Sequence, residues 1–315
     1  MPAAPAGAPI ITAPGAAPPI TEEDRLPGDR SPTSPRLPAR RHLALVRGLT
    51  GIAVFIGVAQ AFGASGIVKQ NVLPLMSTVL ARAFGLAANG RFLADLGATL
   101  EAWAIGLAVT TVAGVPLGLL LGSVPGVRGA TRAVVEFLRP IPSVAFISLV
   151  SLLIGPGLRM TVTLTVYGCI WPILYNTIAG LDDVDPVAKD TLRAFGFGRL
   201  AVIRLVSLPS AAPFIATGIR IASAVALILS IATGYVTGRV NGPGIGAFIA
   251  DANSGAGNTA LVLGAVIWTG LLGVVLNLLL VRIERRLLPW HRAGLSLTDR
   301  PATRAATGAT ARAFS

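Results

Sequence analysis

Six stretches of the chain contain no charged residue and are long enough, or nearly so, to cross a lipid bilayer. They cover residues 48–68, 102–126, 140–158, 160–180, 221–238 and 253–281. A spanning helix needs about 20 predominantly apolar residues, and inside lipid the backbone must satisfy its own hydrogen bonds in a helix or a closed barrel. The sequence Gly155-Pro156-Gly157 weakens the third stretch. We therefore predict an all-α integral membrane protein with six transmembrane helices.

The distribution of basic residues bears on both topology and partners. The formal net charge is +12, although only 13% of the residues are charged. With the N-terminus on the inner side, 20 of the 26 Lys and Arg residues fall in inner segments and 5 in outer ones, and Arg220 lies near the start of the fifth span. Cytoplasmic loops of membrane proteins carry such an excess. We expect both termini to be cytoplasmic, the chain to contact the lipid bilayer, and no nucleic acid to bind.

The sequence offers few residues for catalysis or metal binding. It has one cysteine, Cys169, and two histidines, so it predicts neither an intrachain disulfide nor a metal site. A P-loop ends in Gly-Lys-Ser/Thr, whereas Lys69 follows Val and precedes Gln, and Lys189 follows Ala and precedes Asp. We expect a chain that is not an enzyme, hydrolyses no ATP and binds no cofactor.

Composition divides the chain into four parts. Residues 1–42 hold ten of the 23 prolines and few large apolar side chains, which predicts a disordered cytoplasmic arm. Residues 43–94 contain the first transmembrane helix and a mildly amphipathic segment that we place at the outer interface. Residues 95–290 form the transmembrane core, and 291–315 form a second disordered cytoplasmic tail.

Two of the spans carry residues with a predicted role inside the membrane. Small residues at four-residue spacing let helices approach closely, so we predict a tight helix contact at Gly114, Gly118 and Gly122 rather than a role in the translocation path. Pro172 should kink the fourth span, and irregular backbone at this depth is tolerated against protein or along a water-filled path. The polar and aromatic residues of that span either line a path or fill a helix interface; they are Tyr167, Trp171, Tyr175 and Asn176. Arg220 either pairs with an acid, reaches the inner surface or contacts a gate.

The polar segment 181–212 stands out between the fourth and fifth spans. Asp185 suits a helix N-cap, Pro186 suits the first helical position and Gly196 suits the end. The spacing predicts a helix over 187–195, with Val187, either Thr191 or Leu192, and Phe195 on one face. A second short helix over 199–207 runs to Leu208-Pro209. A capped amphipathic helix between membrane spans is suited to docking a soluble partner, although an ordinary loop with a helix in it would have the same signals.

This segment resembles the signature loop of importer-type ABC permeases. That pattern is Glu-Ala-Ala, three residues, Gly, nine residues, Ile, one residue, and Leu-Pro. The matching positions are Asp190-Thr191-Leu192, Gly196, Val206, Leu208 and Pro209. Asp replaces Glu, Val replaces Ile, and both alanines are replaced.

Other stretches are similar to the nitrate, sulfonate, taurine and thiamine-precursor branch of that family. They are PLGLLLG at 116–122, RPIPSVAFISL at 139–149, WPILYNTIAGL at 171–181, LPSAAPFIATGIRIA at 208–222, GPGIGAFIADA at 242–252 and ERRLLPW at 284–290. The resemblance covers roughly residues 95–290. Members of the branch often carry Glu where Thr233 stands, so we add Thr233 to the residues that are candidates for lining the pore. We term this set the path candidates; it consists of Tyr167, Trp171, Tyr175, Asn176, Arg220 and Thr233.

The resemblance implies a type I importer permease in a bacterial cell membrane, with a cytoplasmic coupling helix between spans four and five. It further implies one half of a dimeric pore, either with a second identical copy or with a different chain. A separate ATPase subunit, which binds ATP and Mg, would dock on residues 186–196, and an extracytoplasmic solute-binding protein would deliver the substrate. The residues implied in docking are Asp185, Pro186, Asp190, Thr191, Leu192, Phe195, Gly196, Val206, Leu208 and Pro209. The substrate implied is a small anion such as nitrate, taurine or a sulfonate, or next a heterocyclic vitamin precursor.

The main alternative is an ion-coupled secondary transporter that works without an ATPase. Such transporters use carboxylates inside the membrane or paired broken helices to bind the coupling ion. By the apolar stretches above, all fourteen acidic residues fall in loops, tails or span ends. This placement favours the ABC permease.

Overall fold

The structure is a computed structural model that describes residues 39–69, 72–255 and 258–289. The predicted tail over 291–315, and all but the end of the predicted arm over 1–42, lie outside these ranges. Every regular element in the described ranges is helical, which confirms the all-α prediction. The chain divides into two units, Met1–Val54 and Phe55–Ser315. The first described helix, α1 (Ala39–Ala64), contains the boundary between them.

The second unit consists of helices joined by short connections. In chain order they are α2 (Met76–Leu86), α3 (Gly90–Ser123), α4 (Pro125–Leu138), α5 (Ile147–Ile154), α6 (Leu158–Asp182), α7 (Pro186–Ala194), α8 (Arg199–Val202), α9 (Leu208–Thr237), α10 (Ile245–Ser254) and α11 (Thr259–Leu287). Short 3-10 turns cover Ser143–Phe146 and Gly238–Asn241, and a π-helical turn covers Ile203–Ser207.

Five helical segments of the described chain are long and apolar enough to cross a membrane. They are Val46–Ala64, Gly90–Ser123, Leu158–Asp182, Arg199–Asn241 and Thr259–Leu287. The predicted span over 140–158 is wrong in length, because only the shorter apolar helix Ser143–Ile154 forms there. Pro140 and Pro142 precede this helix, and Gly155 ends it with a φ of +83°. Both signals are local, and they shorten this helix. The chain still passes from the α7 end of the bundle, where α3 ends at Ser123, to the opposite end, where the Gly157 N–H donates to the Asn241 Oδ1. It makes this passage with α4 and α5 together.

Two other spans begin earlier than the apolar stretches predict. α3 starts at Gly90 rather than near residue 102, and the Oδ1 of its N-cap Asn89 accepts a hydrogen bond from the Phe92 N–H at 3.1 Å. The fifth span does not start at residue 221, since a run of consecutive helical turns extends from Arg199 to the end of α9 at Thr237. Gly238, with a φ of +60°, then starts the short 3-10 turn that ends at Asn241. The predicted separate helix over 199–207 is therefore the first part of this run. Pro209 does not interrupt the run because it lies in the first turn of α9, directly after the π-helical turn.

Close helix packing places α6 between α3 and α9 in the second unit. The predicted glycine stripe of α3 faces α6. A Cβ on Gly118 would lie 2.7 Å from the Thr177 Cβ, and one on Gly122 would lie 2.5 Å from the Leu181 Cδ1. Gly114 is slightly less crowded, since its Cβ would lie 3.1 Å from the Ile173 Cγ2. The close contact is therefore made within this chain.

The segment between the first predicted span and α3 also packs on the core. It contains α2, whose Ala83 carbonyl accepts a hydrogen bond from the Trp268 Nε1 of α11 at 2.8 Å. At the same end of the helices, α10 is buried through Ile245, Phe248 and Ile249. The Phe92 ring of α3 packs edge-on against Phe248, with ring centres 5.1 Å apart. These contacts fix the end of the bundle opposite to α7.

Candidate functional site

The helix predicted in the central loop forms, with its ends within one residue of the predicted positions. Asp185 is the N-cap, and its Oδ1 accepts a hydrogen bond from the Val187 N–H at 2.8 Å. Pro186 occupies the first helical position. At the other end Gly196 has a φ of +83°, which favours glycine, and its N–H donates to the Arg193 carbonyl at 2.9 Å. The result is a short rigid helix, α7.

One face of α7 presents apolar side chains to the surroundings. Val187 is 69% exposed and Phe195, directly after the helix, is 78% exposed. Thr191 is exposed between them, whereas Leu192 is half-buried, so Thr191 completes this face. Leu200 of α8 is exposed as well. We term Val187, Thr191, Phe195 and Leu200 the coupling surface; large apolar side chains grouped at a surface mark interaction sites.

The opposite side of α7 is tied to the membrane core. The Lys189 Nζ donates to the Leu181 carbonyl at 3.1 Å, near the end of α6. Val184, in the turn between α6 and α7, is buried. Asp190 is exposed and forms an ion pair with Arg193 at 3.0 Å, which at such exposure contributes little to stability. α7 is therefore held by its half-buried side and leaves the coupling surface free.

The later residues of the signature loop have a different position from the earlier ones. Leu208 packs against the buried cluster of Leu181, Ala211 and Ile215. Val206 is half-buried, and Pro209 is exposed in the first turn of α9. The signature thus combines an exposed part, residues 185–196, with an inner part that anchors it.

The aromatic path candidates on α6 face the end of α4 and the segment that follows it. The Tyr167 hydroxyl donates to the Leu138 carbonyl at 2.9 Å. Its ring meets Phe146 and Trp171 edge-on, with ring centres 5.3 and 6.0 Å apart. One turn further on, the Arg139 guanidinium lies 4.5 Å from the centre of the Tyr175 ring, within the range of a cation–π contact. These aromatic residues form one half-buried row.

The remaining candidates do not join this row. The Asn176 Nδ2 donates to the Pro172 carbonyl at 2.8 Å. Thr233 is fully buried, and its hydroxyl lies 3.3 Å from that of Thr161. Arg220 lies 3.5 Å from Glu284 of α11, so it has the acidic partner that was one of its three predicted roles.

Sequence reasoning missed a cluster of charges at the end of the bundle opposite to α7. The Asp95 carboxylate is 1% exposed, and it accepts two hydrogen bonds from the Arg239 guanidinium at 2.7 and 2.8 Å. It also accepts one from the Gly244 N–H at 2.9 Å. Arg239 further donates to Asp251 at 2.7 Å, and Arg91 approaches the same carboxylate at 3.0 Å. We term these four charged residues the outer clamp.

A cavity of about 170 Å³ lies beside the outer clamp. Its polar lining consists of Thr99, Glu101, Thr161, Ser230 and Asn241. Glu101 and Asp95 both lie within α3. The apolar stretches of the sequence predict that every acidic residue lies outside the spanning helices or at their ends. This prediction is wrong for Glu101, which lies eleven residues after the start of α3. Among the described residues, no three His, Cys, Asp or Glu side chains are placed to hold a metal ion.

Comparison with known proteins identifies the family. The model of the binding-protein-dependent transport system inner membrane component matches residues 114–289, more than half of the chain. The nitrate import permease protein NrtB of Leptolyngbya laminosa is 30% identical over 195 residues, which are 62% of this chain and 68% of that protein. The taurine transport system permease protein TauC of Escherichia coli K12 is 27% identical over 261 residues, covering 81% of this chain and 93% of TauC. The putative aliphatic sulfonates transport permease protein SsuC of Bacillus subtilis is 27% identical over 274 residues, which cover 85% of this chain and 96% of SsuC.

The fold has a solved counterpart. The MetNI methionine ABC transporter, in an inward-facing conformation, superimposes with a TM-score of 0.55 at 20% identity, over 62% of this chain and 94% of that one. The likeness confirms the fold of a type I importer permease. On the family match and the fold together, this chain belongs to the inner-membrane permease components of binding-protein-dependent ABC importers.

Proposed function

We propose that this permease forms one half of a dimeric pore that imports a small anion, and that a separate ATPase subunit switches the pore by docking on the coupling surface. The observation that carries the proposal is the capped helix α7, which presents Val187 and Phe195 outward while Lys189 ties its other side to α6. ATP and Mg bind the ATPase subunit, and a solute-binding protein meets the outer end. The second half of the pore is another copy of this chain.

The mechanics follow from the helical run that joins α8, the π-helical turn and α9, from Arg199 to Thr237. At about 1.5 Å per residue, this run spans roughly 60 Å. The run begins beside α7 and ends next to Arg239 of the outer clamp. A movement imposed on α7 by closing ATPase subunits would therefore reach the outer end through one continuous helical run, and packed helices transmit switching motions in this way.

The orientation places α7 in the cytoplasm, together with both termini. The excess of Lys and Arg on that side supports it. The substrate proposal rests on the relatives, whose names specify nitrate, taurine and aliphatic sulfonates. All three solutes are small and carry an oxyanion group, so we propose a substrate of that class.

Reconstitution tests the function directly. The purified permease, its ATPase subunit and its binding protein are placed in liposomes with nitrate or taurine outside. We expect uptake that requires ATP and persists when an ionophore abolishes the proton gradient. Uptake by the permease alone, driven by a proton gradient and indifferent to ATP, would instead identify an ion-coupled secondary transporter.

A further inference from the structure

A cavity of about 360 Å³ lies behind α7, on the side away from the coupling surface. Its walls come from α7 and α8, from the end of α3 at Gly122 and Ser123, and from Ser207 in the π-helical turn. Three cationic side chains line it, those of Lys189, Arg193 and Arg199. We term this cavity the inner pocket.

The charges of the inner pocket are not balanced by acids in its lining. No Asp or Glu is among the described residues that line the inner pocket. Arg193 pairs with Asp190, which lies outside the lining. Lys189 gives one hydrogen bond to the Leu181 carbonyl and keeps two N–H groups, since an ammonium has three. Arg199 has no ion pair or hydrogen bond to any residue that the structure describes.

A second polar group adds to this imbalance. Ser207 is 4% exposed, yet its hydroxyl has no hydrogen bond within the described residues. Within the described residues only the Thr165 Oγ1 and the Trp171 Nε1 are buried without a partner, so the Ser207 hydroxyl is accessible from the inner pocket that it borders. The lining of one pocket therefore contains two guanidinium groups, an ammonium and a hydroxyl without a protein partner, and these are groups that bind phosphate.

We propose that the inner pocket binds a phosphate group, held by Arg199, Lys189 and Arg193 with Ser207 as a further donor. Such a ligand joins α7 to the ends of α3 and α6 and so steadies the helix that carries the coupling surface. The phosphate has two possible sources, the headgroup of an anionic lipid or a soluble phosphate. Basic pockets at the inner ends of membrane helices favour anionic lipid headgroups. The proposal does not depend on ATPase docking.

The test measures thermal unfolding of the full-length permease in a neutral detergent. Three titrations are compared: inorganic phosphate, phosphatidylglycerol, and phosphatidylcholine as the zwitterionic control. Each is carried out on the parent chain, on Arg199→Gln and on Arg204→Gln. Arg204 is exposed on the π-helical turn and does not line the inner pocket, so its variant removes the same charge from the same region.

We expect the phosphate-bearing ligand to raise the Tm of the parent chain and of Arg204→Gln to the same extent. In Arg199→Gln the apparent Kd of that ligand should be about ten-fold or more weaker, because the variant loses a charge-assisted hydrogen bond. A rise in Tm with phosphatidylglycerol alone identifies a lipid headgroup as the ligand. A rise in Tm with inorganic phosphate alone identifies a soluble phosphate. No rise with either ligand, or an equal loss in both variants, would overturn the proposal. If Arg199→Gln fails to fold, Ser207→Ala is measured by the same criterion.

Discussion

Asp95 and Arg239 lie 144 residues apart in the sequence and form a bidentate ion pair, in which the Arg239 Nη1 and Nη2 lie 2.7 and 2.8 Å from the Asp95 Oδ1 and Oδ2. The pair joins α3 to the turn that follows α9. Through the Gly244 N–H, the same carboxylate also holds the start of α10. It thereby fixes the end of the long helical run that lies opposite to α7.

Removal of the Asp95 charge should destabilise this end strongly. In Asp95→Asn the Arg239 guanidinium loses its buried counter-charge, and breaking such a pair costs about 3 kcal/mol of unfolding free energy. Asp251→Asn is the matched control, because Asp251 is 41% exposed and exposed pairs contribute about 1 kcal/mol or less. Unfolding in detergent micelles, followed by circular dichroism, measures both. Equal losses in the two variants would contradict the importance of the buried pair.

The contact between α3 and α6 should tolerate no additional methyl group at Gly118. A Cβ there would lie 2.7 Å from the Thr177 Cβ, whereas a Cβ on Gly97 of the same helix meets nothing within 4 Å. We expect Gly118→Ala to lower the unfolding free energy by about 1–3 kcal/mol, the usual cost of overpacking. Gly97→Ala should be neutral or slightly stabilising. Unfolding curves for both variants decide the matter, and an unchanged Gly118→Ala would show that the two helices can separate at no cost.

The end of α7 should depend on the backbone of Gly196. Its φ of +83° is inaccessible to proline, whose φ is fixed near −65°, and Gly196→Pro would also remove the hydrogen bond to Arg193. We expect this variant to insert into the membrane normally but to lose most of its ATP-dependent uptake, because the coupling surface is displaced. Gly198 has a φ of −69°, so Gly198→Pro is the control and should retain uptake. Normal uptake by Gly196→Pro would show that the geometry of this helix end is not required.

The features that the sequence predicted well are local ones. The ends of α7 depend on Asp185, Pro186 and Gly196, which act on the residues next to them. The third predicted span is wrong in length, although the signals that shorten it, Gly155 and the prolines before the helix, are local as well. Such signals can be recognised without knowing which helices will meet.

The features that it missed depend on partners distant in the chain. The start of α3 could not be found from apolar residues alone, because Asp95 interrupts the pattern and its partner Arg239 is invisible in a local window. The fifth span begins before Arg220 for a similar reason, since Glu284 of α11 pairs with this arginine. The inner pocket also escapes prediction, because Lys189 and Arg199 lie on different helices.

Docking of an ATPase subunit on the coupling surface is tested most directly by affinity purification. The permease carries a C-terminal tag and is isolated from its native host in mild detergent, as the parent chain, as Phe195→Asp and as Phe137→Asp. Phe137 is 72% exposed on α4, which makes it a matched aromatic control outside the coupling surface. We predict that an ATP-binding subunit accompanies the parent and Phe137→Asp and is lost from Phe195→Asp. Retention of that subunit by Phe195→Asp, or its absence from the parent after crosslinking in the membrane, would contradict the proposed docking.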